Sequence, residues 1–343
     1  MMKQSAHANI PIFIPHRGCP NQCVFCNQRT ISGVSDFDVS TVRGQIEDAL
    51  ATVKPDTEVE IAFFGGSFTG IDRDEMLLLL SIAKEFIDSG RVSSVRCSTR
   101  PDYITPEILD ILWAYGVRTV ELGLQSFSDA VLDASKRGHT QADELNACRM
   151  IVERGFNLVG QMMIGLPKST LADEIRTAEL IASVGAAAAR IYPTVVFHGT
   201  ELCSMAMNGS YTPLTLDDAV ERSAAVYEIF LEAGVRVIRV GLCSSESLTD
   251  ASKYYSGPNH SALGELVENR LYYNRIRRGI LSLDNGECRV YKVYVPRGAM
   301  SKAIGQRRIN KERLTCELSL DGLVFIEDDG LRDFETRIEQ ERK

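Results

Sequence analysis

Short apolar segments alternate with longer amphipathic segments through the first two thirds of the 343-residue chain. This alternation is typical of a parallel β/α fold, in which helices cover the strands. The central apolar segments are almost wholly apolar, as expected of strands that are covered on both faces. The intervening segments, such as DRDEMLLLLSIAKEFIDSG, begin near an Asp or Thr cap and end at a Gly. We predict six strands, at residues 10–14, 58–64, 94–98, 117–124, 157–165 and 189–196.

Six strands are fewer than the eight of a closed β/α barrel, so we expect a partial, open barrel. The pattern changes after residue 200, where a strong helix, the strand VRVIRVGL and another helix follow one another. A small α+β unit begins near Gly286. The predicted domains are therefore the partial barrel with its C-terminal extension at 1–245, a helical connector at 246–285 and a small α+β domain at 286–343.

The composition is that of an ordinary soluble protein, with 44% hydrophobic and 24% charged residues. No segment approaches the roughly 18 to 20 consecutive apolar residues that a membrane helix needs, and the N-terminus has no usable signal-peptide pattern. We therefore expect a cytoplasmic protein without a membrane partner. Nine cysteines is an odd number for a disulfide framework, and it favours reduced thiols, some of them metal ligands.

Three cysteines follow the first predicted strand within HRGCPNQCVFCNQ, at Cys19, Cys23 and Cys26. In parallel β/α folds the chemistry gathers at the C-terminal ends of the strands. Three thiolates can bind three irons of a [4Fe-4S] cluster and leave the fourth iron without a protein ligand. A zinc site that adds His16 is the structural alternative, although such sites usually pair two ligand motifs across a longer loop. A single nucleophilic cysteine would leave the other two unexplained.

Polar motifs also follow the next strands: GGSFTG follows the second, STRPD the third and LQSF the fourth, and GLP closes the fifth. Gly65 and Gly66 allow a backbone to approach a ligand closely, and a tight βα turn is the structural alternative. Arg137 offers the fork of donors that suits a carboxylate, whereas an arginine considered alone is more often a solvated surface residue. The strand ends therefore predict an active site at one edge of the sheet.

The C-x3-C-x2-C loop after the first strand of a β/α repeat resembles the signature of the radical SAM superfamily. Phe25 stands where that family commonly has an aromatic residue. The resemblance implies that S-adenosylmethionine (SAM) chelates the fourth iron of a [4Fe-4S] cluster. It further implies reductive cleavage of SAM to a 5′-deoxyadenosyl radical that abstracts a hydrogen atom. An electron donor such as flavodoxin or ferredoxin is implied as a partner.

Five motifs narrow the resemblance: FFGGSFTG, STRPDYI, VELGLQSFSDAVLDASKRGHT, QMMIGLP and ARIYPTVVFHGTEL. The order and the residues of these motifs resemble those in the radical SAM half of the Elongator catalytic subunit, a family that modifies tRNA wobble uridines. Residues 200–343 contain no match to that family's glycine-rich acetyl-CoA loop, so we expect its carboxymethylation chemistry not to carry over. We place Tyr192 near the expected substrate mouth, with a packed tyrosine as the alternative. The resemblance implies that cofactor contacts come from Gly65, Gly66, Ser67, Ser98, Gln125, Arg137 and Gln161.

The net charge of −8 disfavours a nucleic-acid partner, but it conceals a local reversal. Residues 289–313 carry eight basic side chains and one acidic side chain, Glu312. Residues 291–315 are predicted as strand, short helix, turn and second helix, followed by a strand at 322–328, and they resemble a KH RNA-binding module. The KH loop pattern GxxG is here GQRR, and the tail from 327 is predicted to be a solvated helix or frayed end. The predicted RNA contacts are Lys302, Arg307, Arg308 and Lys311, and a solvated basic helix is the alternative.

These observations together predict a radical SAM enzyme that modifies RNA, specifically tRNA. One alternative keeps the radical chemistry and acts on a small molecule such as a porphyrinogen. Coproporphyrinogen dehydrogenases share the three-cysteine loop, but they usually have GGGTP where this chain has GGSFTG. A second alternative is a zinc-stabilised RNA-binding protein, which would leave the strand-end motifs unexplained.

Overall fold

A computed structural model describes residues 7–15, 17–19, 23–27, 37–242, 252–283 and 289–341. The chain divides into two compact units. The first comprises residues 1–216 and 229–261, and the second comprises residues 217–228 and 262–343. The domain boundaries near 245 and 285 stay predictions.

The first unit is built on a sheet of seven parallel strands in the order β1-β2-β3-β4-β5-β6-β8. All strand neighbours except the last pair follow one another in sequence, as in a partial β/α barrel. The strands are β1 His7–Ile14, β2 Glu58–Gly65, β3 Ser94–Thr99, β4 Val117–Gln125, β5 Asn157–Ile164, β6 Ala188–Pro193 and β8 Arg236–Val240.

Helices connect these strands, and several begin at the caps that the sequence predicts. Asp72 caps the second helix and Thr105 the third, and Thr140 and Thr170 form capping boxes with Asp143 and Asp173. The helices are α1 Val42–Thr52, α2 Arg73–Asp88, α3 Pro106–Ala114, α4 Asp129–Ala134, α5 Gln141–Glu153, α6 Leu171–Ser183, α7 Glu201–Met207 and α8 Leu216–Glu232, of which residues 217–228 belong to the second unit.

The partial barrel is confirmed, with one strand more than the predicted six. The additional strand is β8, which lies in VRVIRVGL and pairs with β6. The predicted strand 189–196 is divided in two. Pro193 ends β6, since proline has no N–H to continue a ladder. Val196–Phe197 then forms a short strand, β7, antiparallel to β9, Tyr254–Ser256.

The second unit contains helix α9, Leu263–Leu283, and a three-stranded sheet of order β11-β10-β12. The predicted strand–helix–turn–helix–strand order is present. Its elements are β10 Val290–Pro296, α10 Met300–Ile304, α11 Ile309–Glu317 and β11 Gly322–Asp328, with β10 parallel to β11.

The predicted solvated tail is wrong, because Arg337–Gln340 forms strand β12 antiparallel to β10. Ile338 packs directly against Gly279 of α9, at a position where any Cβ would collide with it. Phe334 is also buried, with its ring 5.4 Å from that of Tyr272. Two apolar side chains therefore anchor an otherwise polar tail.

No described helix combines the length and the apolar character needed to cross a membrane.

Candidate active site

The three cysteines lie in the loop that follows β1, and each is partly buried. The loop is anchored through Val24, which lies between Cys23 and Cys26 in the sequence and has a buried side chain. The Val24 N–H donates to the Ser135 carbonyl at 3.2 Å, and the Val24 carbonyl accepts from the Leu202 N–H at 2.8 Å. The cysteine loop is thus fixed by backbone bonds on two sides.

The GGSFTG loop after β2 lies backbone to backbone against the cysteine loop. The Gly66 N–H donates to the Ile14 carbonyl at 2.8 Å, and the Ser67 N–H donates to the Arg17 carbonyl at 2.9 Å. A Cβ on Gly66 would collide with the Arg17 carbonyl, so only glycine permits this approach. In this structure it is the backbone of the cysteine loop, at Arg17, that lies next to Gly66. Ligand contacts by Gly65 and Gly66 stay a prediction.

Ser67 is fully buried and joins the loops that follow β2 and β3. Its hydroxyl lies 2.9 Å from the Thr99 hydroxyl and accepts from the Arg100 N–H at 3.1 Å. Thr69 Oγ1 continues this chain of hydroxyls at 2.6 Å from Thr99 Oγ1. The Ser67 side chain therefore holds the site together, and its predicted cofactor contact is untested.

Gln125 ends β4 in a conformation that the strand does not require. Its φ is +69°, in the left-handed region, and the pairing register with β5 is irregular between Gly123 and Gln125. Its buried Oε1 has no hydrogen-bond partner within the described part of the chain. Backbone strain concentrates at functional sites, and an unsatisfied buried acceptor is costly. These features fit a residue that accepts a hydrogen bond from a ligand.

Arg137 is 5% exposed, so the alternative of a solvated surface residue is excluded. Its Nη1 donates to Cys23 Sγ at 3.2 Å, and its Nη2 donates to the Gly123 carbonyl. Arg137 is thus drawn to the same sheet edge as the cysteine loop and β4. Its predicted carboxylate contact remains a prediction.

Arg100 is a site residue that the sequence analysis did not single out. It follows β3 within STRPD and is 4% exposed. Its Nε and Nη2 donate to the two carboxylate oxygens of Asp102 at 2.9 and 3.0 Å, and its Nη1 lies 3.9 Å from Cys23 Sγ. The signal in the sequence is the place of an arginine directly after a strand of the repeat.

The guanidinium of Arg100 affects the titration of its neighbours. Burial raises the pKa of the Cys19 thiol, and the positive charge of Arg100 opposes this. Burial would also raise the pKa of Asp102, but its hydrogen bonds from His139 and Arg100 lower it to about 2. Asp102 is therefore ionised at neutral pH and pairs with Arg100.

Ser98, Gln161 and Tyr192 lie on strands β3, β5 and β6 of the same sheet and are each partly exposed. Gln161 Nε2 donates to Glu121 Oε2 at 3.0 Å, and the Tyr192 hydroxyl lies 3.4 Å from Arg190 Nη1. Glu121 and Arg190 were not predicted, although charged residues in apolar strands are a usable signal. We call this group the barrel network; its members are Glu60, Arg96, Glu121, Gln161 and Arg190.

The donor set of the cysteine loop fits an iron–sulfur cluster. Within the described ranges, no three His, Cys, Asp or Glu side chains converge on the position of one metal ion. A four-iron cluster needs no such convergence, because each thiolate binds a different iron. The guanidiniums of Arg100 and Arg137 next to Cys23 suit a negatively charged thiolate cluster. His16 of the zinc alternative lies outside the described residues.

The predicted RNA-contacting residues lie in the second unit and differ in their partners. Lys302 forms an ion pair with Glu268 at 2.8 Å. Arg307 and Arg308 are exposed, and both have left-handed backbones, with φ values of +51° and +66°. Lys311 follows in the first turn of α11 and is partly buried. No ion pair within the described residues involves Arg307, Arg308 or Lys311.

Comparison with known families agrees with this geometry. Residues 13–181 match the sequence model of the Radical SAM superfamily, and residues 186–273 match that of the Radical SAM C-terminal domain. The chain belongs to the radical SAM superfamily. The prediction of a radical SAM enzyme is thereby confirmed at the level of the family.

Among curated relatives, the chain is 26% identical over 304 residues to the tRNA uridine(34) acetyltransferase of Methanocaldococcus jannaschii. This match covers 77% of this chain and 55% of the relative. It is 27% identical over 264 residues to Elongator complex protein 3 of Saccharomyces cerevisiae, covering 62% of this chain and 47% of the relative. The chain thus spans about half the length of these relatives.

A solved structure of the Methanocaldococcus infernus Elp3 with an N-terminal deletion shares the fold. The TM-score is 0.64 at 22% identity, and the match covers 79% of this chain and 64% of that chain. The predicted resemblance to the radical SAM half of the Elongator catalytic subunit is therefore confirmed for sequence and fold.

Proposed function

We propose that this protein cleaves SAM reductively at a [4Fe-4S] cluster bound by Cys19, Cys23 and Cys26, and uses the resulting radical to modify tRNA. The observation that carries the proposal is the three-thiol loop at the carboxyl edge of the parallel sheet, with two buried guanidiniums at one of its thiols. Three thiols, rather than four, leave room for SAM as a ligand.

A bound cluster with SAM at its open iron would supply the one-electron reduction that releases a 5′-deoxyadenosyl radical. The residues of the chain hold and orient the participants. The three thiolates bind the irons, and the unsatisfied Gln125 Oε1 accepts a hydrogen bond from SAM. Arg137 offers its guanidinium to the SAM carboxylate from the position that it now occupies beside Cys23. Gly65, Gly66, Ser98 and Gln161 complete the proposed cofactor contacts.

For the substrate, the relatives named tRNA uridine(34) acetyltransferase and Elongator complex protein 3 support tRNA. The second unit offers a compact basic group for phosphate contact at Arg307, Arg308 and Lys311. Basic neighbours such as Lys292, Arg297 and Lys302 are instead paired with Glu341, Asp329 and Glu268. A cation that is already paired with a carboxylate binds a phosphate less favourably. We therefore assign the phosphate contact to Arg307, Arg308 and Lys311, in and next to the GQRR loop.

The cluster is tested by anaerobic reconstitution, with iron and sulfide content and release of 5′-deoxyadenosine as readouts. We expect about four irons in the wild type and loss of both iron and nucleoside in Cys23→Ala. Cys316→Ala, which changes an exposed cysteine of the second unit, is the matched control and keeps both. One zinc and no iron in the wild type would instead support the zinc-stabilised alternative.

The RNA contact is tested by the binding of labelled tRNA across a salt series. Replacement of both Arg307 and Arg308 by Glu is expected to weaken binding and to lower the salt slope by about two. A double replacement of Lys292 and Arg297 by Glu makes the same change in total charge at paired positions. Equal losses of tRNA affinity in the two variants would mean that binding depends on the net charge of the protein and not on the GQRR loop. Absence of tRNA binding at about 150 mM salt would shift attention to a small-molecule substrate.

A further inference from the structure

Two sequence motifs, STRPD and KRGHT, place more buried charge near Cys23 than the proposed cofactor contacts use. They contribute Arg100, Asp102, Arg137 and His139, and helix α5 adds Glu144. Each of these side chains except Asp102 is buried, and Glu144 is fully buried. We call these five residues the cysteine network.

Arg100 is the centre of the cysteine network, and its guanidinium is fixed on several sides. It pairs with both oxygens of Asp102, and its Nη2 also donates to the Arg137 carbonyl. The same Nη2 lies 3.2 Å from His139 Nδ1. A guanidinium held by a bidentate carboxylate and a carbonyl has little freedom to move.

His139 is itself fixed from behind. Its Nε2 lies 3.0 Å from Glu144 Oε1 and its Nδ1 lies 3.6 Å from Asp102 Oδ1, so the ring is held between Glu144 and the carboxylate that pairs with Arg100. Since Glu144 belongs to α5 and Arg100 follows β3, the imidazole links a helix to the strand end that carries the arginine. The consequence is a rigid support behind Arg100.

The guanidiniums of Arg100 and Arg137 both lie next to the Cys23 thiol. Arg137 Nη1 donates to Cys23 Sγ at 3.2 Å, and Arg100 Nη1 lies 3.9 Å from the same sulfur. Both guanidiniums keep their positive charge at any accessible pH. Because they are buried, their effect on a nearby thiolate is screened little by salt. Hydrogen bonds to cysteine sulfurs and local net charge set the reduction potentials of iron–sulfur clusters.

We propose that Arg100, together with Arg137, raises the reduction potential of the cluster bound at Cys23, and that Asp102 and His139 are positioning residues that fix Arg100 for this purpose. The inference rests on the proposed function, since it concerns the cluster of that site. It gives the STRPD and KRGHT motifs a shared role, because reduction adds negative charge to the cluster and the two guanidiniums stabilise that charge.

The test is an anaerobic redox titration of the reconstituted 343-residue chain, in which the reduced cluster is followed by electron paramagnetic resonance. Arg100→Met is expected to shift the midpoint potential to a more negative value. Arg100→Lys keeps the charge but loses the bidentate bond to Asp102, so its shift is expected to be smaller and in the same direction. His139→Ala is expected to shift the potential in that direction too, because Asp102 loses the hydrogen bond from His139 and then fixes Arg100 less firmly.

Lys136→Gln is the matched control, since it removes a cation that neighbours Arg137 in sequence but is exposed and paired with Glu201. An unchanged potential in Arg100→Met with four irons bound would overturn the inference and leave the proposed function intact. An equal shift in Lys136→Gln would also overturn it. If Arg100→Met does not fold, an Arg100→Lys protein with wild-type potential and iron content would decide against the inference. A wild type without a cluster would instead overturn the proposed function, and this inference with it.

Discussion

The barrel network and the cysteine network are both largely buried ionic clusters of the first unit. They differ in whether every carboxylate oxygen has a hydrogen-bond partner. In the barrel network each carboxylate oxygen has a partner. Glu121 Oε1 accepts from Arg96 and Arg190 and its Oε2 from Gln161, while Glu60 accepts from Ser94 through Oε1 and from Arg96 through Oε2. The cysteine network ends on a thiol, and Glu144 Oε2 has no hydrogen-bond partner within the described part of the chain.

This difference separates a structural role from a functional one. Every carboxylate oxygen of the barrel network is paired, so the network links the strands β2 to β6 that supply its members. The cysteine network instead directs positive charge at the Cys23 thiol, whose state changes when a ligand binds to it. The barrel network should therefore matter most for stability, and the cysteine network for the chemistry at Cys23.

The largest effect is expected when the barrel network is opened by Glu121→Gln. Glu121 is 0% exposed, and its removal leaves the buried Arg96 and the partly buried Arg190 without their shared carboxylate. Breaking a buried ion pair costs about 3–5 kcal/mol, so we expect a loss of that order. Trp113, the single tryptophan of the chain, lies in α3 and reports unfolding of the first unit by fluorescence in urea.

Glu85→Gln is the control for this experiment, because it removes a carboxylate from the exposed pair Arg43–Glu85. Exposed pairs contribute about 1 kcal/mol or less. A loss in Glu121→Gln no greater than in Glu85→Gln would show that the barrel network adds little to stability, and the comparison of the two networks would fail.

A smaller effect is expected in the cysteine network, as a dependence of stability on pH. Burial raises the pKa of Glu144 from its ordinary value of 4.5 to about 8. Burial alone would lower the pKa of His139, but its hydrogen bonds to Asp102 and Glu144 raise it. Both groups therefore bind protons more tightly in the folded state. Their contribution to stability is complete below the unfolded pKa values and is lost as pH rises through the folded values.

Glu144→Gln should accordingly reduce the fall in unfolding free energy between about pH 5 and pH 8. The measurement is urea unfolding followed by Trp113 fluorescence at several pH values. Glu153→Gln, at an exposed position on the same helix, is the control. An identical pH dependence in wild type and Glu144→Gln would mean that this carboxyl titrates alike in the folded and unfolded chain.

The strands were predictable because the period and length of apolar segments are local properties of the sequence. Strand β12 was not, since its residues Arg337–Gln340 include one apolar side chain, Ile338, and its pairing partner β10 lies over 40 residues earlier. Strand formation there depends on a non-local ladder and on packing against Gly279 of α9. A polar terminal segment gives no local sign of either.

The site was partly predictable for a related reason. Cysteine spacing and the position after the first strand indicated Cys19, Cys23 and Cys26, and the family resemblance indicated Gln125 and Arg137. Arg100 and His139 were missed because a charged residue in a loop is usually solvated, and burial is decided by neighbours from distant segments. The same limit applies to the basic segment, where the partner of Lys302 is Glu268, from another helix.

The smallest effect is expected at Lys136, and it sharpens the contrast with its neighbour Arg137. Lys136 Nζ lies 2.7 Å from Glu201 Oε2, with side chains 58% and 46% exposed. An exposed pair is screened by solvent, so Lys136→Gln should change stability by less than about 1 kcal/mol. Urea unfolding followed by Trp113 fluorescence measures it. A loss as large as that of Glu121→Gln would mean that proximity to the cysteine loop, rather than burial, decides what a charge contributes.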